Sequence, residues 1–378
     1  MSSNAPRRRY AHGLVIGKFY PPHDGHAYLI RTAANHCDAV TVAVLGASVE
    51  SLSIEQRVDW LQATFADHPH VRVVGELDDA PIDYHSDAVW AMHVDAMRRA
   101  VSRADTTFTT APPVDAIFSS EAYGDRLARY FDADHVCLDQ TRDLYPVSGT
   151  AVRTSPVATW THLPAATRAG LCLRVVAIGA ESTGTTTLSR DLAQALRERG
   201  GIWQRTEWVA EYGREYSANL LALTRAADAN AGVEDIVWHG DDFVAVASEQ
   251  CRREDAAAAR GGPVLICDTD AWATRLWHER YMGGEHPEVA RIAAAMPPRA
   301  LYLLTSDEGV PFVDDGLRDG EHIRHWMHER FVAQLRAQSV PWQMMVGSPA
   351  VRLAAALRAV DELIARSWRF ALPLEQRA

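Results

Sequence analysis

Short β-rich runs alternate with amphipathic helical stretches twice along this chain, and each series opens on a strand that ends at a glycine. Together these observations predict an α/β protein of two Rossmann-like domains, each a parallel sheet with right-handed helical crossovers. A break marked by proline and glycine, from Ser155-Pro156 through Pro164 to Gly170, divides the two series. No repeat links the halves, so they are two different α/β domains.

Bulk properties set the outer limits. A chain of 378 residues, 47% hydrophobic and 23% charged, has the length and composition to bury two sizeable cores. A net charge of -11 and a pI near 5.8 exclude a surface that coats nucleic acid broadly. Local arginine clusters still allow nucleotide binding. No apolar run approaches the ~18 residues of a membrane helix. The N-terminal stretch with Arg7-Arg8-Arg9 lacks the apolar core of a signal peptide and reads as a solvated tail. Cys37, Cys137, Cys172, Cys251 and Cys267 form no close Cys-x-x-Cys pair. Cys137, Cys172 and Cys267 sit in apolar runs, as expected of reduced core residues in a cytoplasmic protein. Neither membrane nor DNA is an expected partner, and a homo-oligomer stays open.

The first domain is expected over 13–168, after a disordered tail at 1–12. Its strand candidates are Leu14–Ile16, Val40–Leu45, Val71–Val74, Val114–Phe118 and His135–Leu138. Its helices are expected near 26–36, 54–66, 86–103 and 123–131. The second domain is expected over 171–367, with strands at Leu173–Ile178, Val264–Cys267 and Ala300–Leu304. Its helices are expected near 186–198, 241–260, 272–282, 323–338 and 349–366, and residues 368–378 read as a tail. In such folds ligands bind at the carboxyl ends of the strands.

The stretch from Gly17 to His26, Gly-Lys-Phe-Tyr-Pro-Pro-His-Asp-Gly-His, lies between a strand and a helix. Gly17 lets a phosphate approach the strand end, and the helix beyond offers free N–H groups with a positive dipole end. His23 and His26 are close enough to converge on one triphosphate. Lys18, the only lysine in the chain, is expected to add a mobile positive charge. Gly17, Phe19 and Gly25 complete the expected nucleotide cradle. A second motif follows late in the domain: Ser148-Gly149-Thr150-Ala151-Val152-Arg153, after the turn Tyr145-Pro146. Ser148 and Thr150 there suit phosphate binding as well as helix capping.

Gly179-Ala180-Glu181-Ser182-Thr183-Gly184-Thr185-Thr186 has P-loop spacing, with Thr185 where the pattern carries lysine. Its glycine turn can still form a nest of N–H groups. Gly179, Ser182, Thr183, Gly184, Thr185, Thr186 and Thr187 are the expected nucleotide contacts. Asp268 and Asp270 stand at a strand end, where a carboxylate can hold Mg²⁺ with Thr186 and accept the proton of an attacking hydroxyl. Pro311–Gly320 looks like a mobile lid, and Arg318 and Arg324 are expected to swing onto transferring phosphates. Glu207, Glu211 and Arg214 are placed to hold a polar substrate such as a ribose.

The two motifs of the first domain resemble the nucleotidyltransferase superfamily with the His-x-Gly-His signature. The resemblance implies attack of a mononucleotide phosphate on the α-phosphate of ATP, with pyrophosphate released. His23, His26, Lys18 and Arg153 then align the groups and neutralise charge, with Mg²⁺ on the phosphates. From about residue 12 to 367 the chain resembles the NadR-type bifunctional NAD-salvage proteins. Gly17–His26, Ser119–Gly124, Ser148–Arg153, Gly179–Leu188, Glu211–Tyr216, Asp268–Asp270 and Val313–Arg318 carry that resemblance. It implies an adenylyltransferase that makes NAD from nicotinamide mononucleotide and ATP. It also implies a kinase that makes the mononucleotide from nicotinamide riboside. The start of the chain leaves no room for the DNA-binding module of some members. Two alternatives stay open: an adenylyltransferase for another acceptor such as phosphopantetheine, and a second domain that senses nucleotide with little turnover, as the neutral Thr185 would favour. Trp90 either stacks on a nicotinamide ring or packs in the core. His322, His325 and His328 read as a solvated helix face rather than a metal site.

Overall fold

The computed structural model describes residues 9–83, 85–105 and 112–377; residues 1–8 of the expected N-terminal tail lie outside this range. The chain forms two compact units, Met1–Thr167 with Trp368–Ala378, and Arg168–Ser367.

In the first unit, β1 (Tyr10–Gly17), β2 (Cys37–Gly46), β3 (Val71–Leu77), β4 (Ala116–Ser119) and β5 (Asp134–Cys137) form a parallel sheet ordered β3-β2-β1-β4-β5. The helices are α1 (Asp24–His36), α2 (Ile54–Thr64), α3 (Asp87–Asp105), α4 (Gly124–Phe131) and α5 (Gly149–Thr154). Strand residues point alternately to the two faces. Val15, Val42 and Val44 pack with Leu29 and Ile30 of α1 and Leu61 of α2. Leu14, Ile16, Ala43 and Leu45 pack with Val94 and Met97 of α3 and Leu127 of α4. Both faces are covered, which is why these strands read as unbroken apolar runs. Each such fully buried aliphatic side chain contributes about 1.5–3 kcal/mol. The chain leaves β1 to one side and returns on the other, so a crevice opens at the carboxyl end of β1, where Gly17 lies.

β1 begins inside the expected tail because Asp115 accepts hydrogen bonds from the backbone N–H groups of Ala11 and His12, both at 2.9 Å. Cys137 is exposed rather than in the core, since it ends the edge strand β5. Helix α6 (Ala165–Leu171) lies within the expected break.

In the second unit, β6 (Leu173–Ile178), β7 (Glu207–Val209), β8 (Val264–Asp268), β9 (Arg299–Thr305) and β10 (Trp342–Met345) form a parallel sheet ordered β10-β9-β6-β8-β7. Its helices are α7 (Thr185–Arg197), α8 (Tyr212–Ala227), α9 (Gly240–Arg260), α10 (Ala271–Met282), α11 (Pro287–Ala295), α12 (Arg324–Arg336) and α13 (Pro349–Arg366). Leu188, Leu192 and Leu196 of α7 and Val360 and Leu363 of α13 close one face over Val175, Ile266 and Leu303. The central β6 delivers the P-loop at its carboxyl end. Among the described residues, no helix is long and apolar enough to cross a membrane.

Candidate active sites

In the first unit, His23 is the N-cap of α1. Its Nδ1 accepts the His26 N–H at 3.4 Å, and His26 Nδ1 accepts the His23 N–H at 3.3 Å. The two imidazoles stack at 3.6 Å with planes 20° apart, and the edge of Phe19 meets His26 at 4.8 Å. Because both Nδ1 atoms accept, each neutral ring carries its proton on Nε2. Burial, with Arg142 and His162 nearby, pushes His23 down to about 3. Burial and the His23 neighbour likewise push His26 well below the usual histidine range. Both rings are therefore neutral Nε2–H donors at neutral pH, at the positive end of the α1 dipole.

The late motif reaches this turn directly. Arg153 donates to the Tyr20 carbonyl at 2.7 Å and to Thr150 Oγ1 at 3.1 Å, with its guanidinium 5.0 Å from the centre of the Tyr20 ring. Ser148 caps α5 by accepting the Ala151 N–H at 3.1 Å. Position 149 is close-packed: a Cβ there would lie 3.1 Å from the Tyr20 carbonyl oxygen. Gly17, Phe19 and Gly25 lie in the same strand–turn–helix as the histidines.

Three expectations change here. Lys18 is not a mobile cation. Its Nζ is 3.2 Å from Glu50 Oε1 and also pairs with Glu375. The buried Arg57 in turn donates to Glu50 at 2.8 Å and to the Lys18 carbonyl at 2.9 Å. Glu375 comes from the stretch expected to be a tail. That stretch is instead tied to the first unit: Tyr20 Oη donates to the Ala371 carbonyl at 3.0 Å, and the Ala371 N–H donates to Ser51 at 3.1 Å. Gln376 Nε2 adds a donor to Thr150 Oγ1 at 3.1 Å. Trp90 belongs to the core, stacked 6.4 Å from Tyr130 with the Arg126 guanidinium 4.6 Å from its centre.

In the second unit, the P-loop runs between β6 and α7. Gly184, at φ +87°, supplies the left-handed turn that L side chains resist. Thr183 is buried and structural, its hydroxyl donating to the Ala180 carbonyl at 2.6 Å. Asp268 ends β8 below the loop. Burial raises its pKa, and hydrogen bonds from the Thr186 and Thr185 hydroxyls oppose the shift. Its Oδ1 is buried with no hydrogen-bond partner. Burial and the Asp268 charge also raise Glu211. Thr187 lies in the first turn of α7.

Asp268, Glu211, Arg214 and Arg318 line one cavity with Gly179, Ser182, Thr185 and Thr186. Its far wall is aromatic: Trp238 lies 5.3 Å from Tyr281 and 5.1 Å from Phe243. Periodicity does not mark these rings as functional; the tertiary fold alone brings them together. The expected lid is hydrogen-bonded to the P-loop. The Val313 N–H donates to Ser182 Oγ at 2.8 Å, and Arg318 donates to it at 3.3 Å. The Gly320 N–H donates to Glu181 at 2.8 Å. Arg214 and Arg318 both pair with Asp315 of the lid. Arg324 donates to the Ser182 carbonyl at 3.1 Å.

Asp270 does not serve the cavity. It caps α10, accepting the Ala273 N–H at 3.0 Å, and is buried against Arg299 at 2.9 Å and Tyr302 at 2.8 Å. Glu207 also stands apart, paired with Arg260 at 3.0 Å. His325 and His328 face Asp307, and the described residues hold no cluster of three or more metal-ligating side chains.

Comparison with known proteins gives two family matches. Residues 14–155 match the cytidylyltransferase-like family, and residues 174–352 match an AAA domain family. The chain is 26% identical over 328 residues to the trifunctional NAD biosynthesis/regulator protein NadR of Escherichia coli K12, covering 83% of this chain and 73% of that protein. The Salmonella typhimurium protein of the same name is 26% identical over 327 residues, with the same coverage. Among solved structures, NadR protein in complex with NR superposes with a TM-score of 0.66 at 22% identity, covering 95% of this chain and 97% of that one. NadR protein in complex with NAD and AMP-PNP superposes with a TM-score of 0.63 at 20% identity, covering 94% and 97%. These two likenesses show the fold.

Proposed function

Because the chain is a NadR-type protein, we propose that its first unit transfers the adenylyl group of ATP to nicotinamide mononucleotide. It is a nucleotidyltransferase of NAD biosynthesis with a kinase-like P-loop domain. One phosphate oxygen of the mononucleotide attacks the α-phosphorus of ATP. The new P–O bond makes NAD as the bond to the β-phosphate breaks, and pyrophosphate leaves with that electron pair. The stacked His23–His26 pair carries this reading. Two Nε2–H donors and a helix N-terminus suit a pentavalent phosphate whose charge grows in the transition state. The nucleophile is already an anion, so these residues need only align and neutralise. Arg153 stands beside the same turn, and Lys18 would join it on exchanging a carboxylate partner for phosphate. Pyrophosphate release from ATP that depends on nicotinamide mononucleotide tests the reading. An equal rate without the mononucleotide would sink it.

For the second unit we propose phosphorylation of nicotinamide riboside by ATP. The aromatic wall of Trp238, Phe243 and Tyr281 suits a flat cationic ring. Glu211 and Arg214 suit ribose hydroxyls, and Asp268, which lines the same cavity, would accept the proton of the attacking hydroxyl. The orphaned Asp268 Oδ1 beside Thr186 fits Mg²⁺, which takes few protein ligands and fills its shell with water and phosphate. When bound, Mg²⁺ supplies charge neutralisation on the transferring phosphate. Conversion of nicotinamide riboside and ATP to NAD by the single chain tests both units together.

Thr185 favours a second reading, in which this unit binds nucleotide as a sensor with little turnover. Saturable ATP binding with no ADP formed from the riboside would support it.

A further inference from the structure

The P-loop lacks its lysine, and the chain's only lysine, Lys18, lies in the other unit. The residue standing in, Thr185, is a neutral hydroxyl that lines the cavity with Asp268. The cavity already holds the carboxylates of Glu211 and Asp268. A polyphosphate entering the loop therefore needs a cation from elsewhere in the fold.

Two guanidiniums hold the loop's own carbonyls. Arg324, the first residue of α12, donates to Ser182 O at 3.1 Å and to Val310 O at 2.8 Å. Its Nε is buried with no hydrogen-bond partner. Arg352, near the start of α13, donates to Thr183 O at 2.7 Å, Ser306 O at 3.0 Å and Gly347 O at 2.8 Å. Among the described residues, neither forms an ion pair with a carboxylate. The other arginines around the loop all do. Arg318 and Arg214 share Asp315, and Arg280 holds Glu181 at 2.7 Å.

That difference decides which charge is available. The charges of Arg214, Arg280 and Arg318 are largely offset by their partners. Arg324 and Arg352 bring positive charge to the loop through bonds to carbonyls and without a direct carboxylate pair, with Asp307 and Glu321 acting on Arg324 only from a distance. Desolvation costs a guanidinium dearly unless an anion offsets it. Desolvation indeed pushes both below the usual arginine value, and the nearby Arg324 pushes Arg352 down further. Of the five N–H donors on each guanidinium, Arg352 directs three to carbonyls and Arg324 two, and the Arg324 Nε is buried without a partner.

We propose that Arg324 supplies the cation this P-loop lacks, binding the polyphosphate of a nucleotide held at Ser182–Thr186. Arg352 is a positioning residue that fixes the Thr183 carbonyl and, through it, the path of the loop. The inference rests on the reading of the second unit as a nucleotide-binding one. The protein has traded a lysine on the loop for an arginine on α12.

The trade predicts a specific rescue. ATP binding is titrated calorimetrically on the full chain with His26→Ala in the background, which weakens the first unit's site. The variants are Arg324→Ala, Arg324→Gln, Thr185→Lys and each double substitution, with circular dichroism as the check on folding. Either Arg324 variant should weaken ATP binding by at least about tenfold, as the loss of a charged hydrogen bond implies. Adenosine binding should barely move. Adding Thr185→Lys should restore ATP binding to near the parent value, because the missing charge is returned. Arg352→Ala should weaken ATP too, but without rescue by Thr185→Lys, since lost loop geometry is not lost charge. ATP binding indifferent to Arg324, or a loss that Thr185→Lys does not repair, overturns the inference. Absence of ATP binding by the second unit in every variant, Thr185→Lys included, overturns the nucleotide reading itself.

Discussion

His23 and His26 hold each other's backbone: each Nδ1 accepts the other residue's N–H, while the rings stack at 3.6 Å. Each imidazole, in accepting the other residue's N–H at Nδ1, fixes its own tautomer with the proton on Nε2. The arrangement converts a helix start into a pair of Nε2–H donors. Replacing His26 by alanine removes one donor and the partner that holds the second. NAD synthesis, followed by pyrophosphate release, should fall by about 10²-fold or more. Full activity in that variant would refute the assignment.

The same pair should shape stability in acid. The unfolded chain takes up protons at these rings near 6.5, whereas folded His23 resists until about 3. More protons are bound unfolded than folded across that window. Their contribution is therefore complete above 6.5 and is lost as the pH falls toward 3. Each ring adds a slope of about 1.4 kcal/mol per pH unit. Denaturant titrations from neutral to mildly acid pH should show a shallower decline for His23→Asn than for the parent. Equal slopes would count against the burial of the charge-free ring.

Glu375 pairs with Lys18, the cation that the proposed first site would turn to phosphate. Glu375→Gln should lower the KM for ATP by a few-fold, in line with the roughly 0–1 kcal/mol of a solvent-exposed ion pair. Steady-state kinetics in the NAD-forming direction would check this. An unmoved KM would place Lys18 outside the path of ATP.

Arg299 sits between Glu254 at 2.6 Å and Asp270 at 2.9 Å, all three buried. Arg299→Met leaves two carboxylates together without a cation. Unfolding of the second unit, followed by denaturant titration, should cost about 3–5 kcal/mol less than in the parent. A change confined to kinetics, with stability intact, would return Asp270 to the substrate site.

Trp90 should report on packing alone. Trp90→Ala opens a cavity and should destabilise by about 3–5 kcal/mol, while Trp90→Phe should keep the parent KM for nicotinamide mononucleotide. A large rise in that KM with Trp90→Phe would mean the indole does meet the substrate.

Much of this molecule follows from local pattern. Alternating apolar runs and helical periodicity determine the two parallel sheets, because a strand covered on both faces must be apolar throughout. The histidine motif and the P-loop are legible for the same reason: each binds with backbone groups of one strand–turn–helix, so its chemistry lies within a few residues of sequence. Sequence distance conceals the rest. Lys18 meets Glu375, Arg153 meets Tyr20 and Arg324 meets Ser182 because sheet order and crossovers bring together segments that share no local signal. Asp268 and Asp270 look alike in sequence. The tertiary structure separates them, leaving one with an orphaned oxygen at the cavity and surrounding the other with Arg299 and Tyr302. The sequence by itself determined which loops can hold phosphate. Only the tertiary structure decided which charges are free to meet it, because the availability of a charge depends on every partner the fold brings within reach.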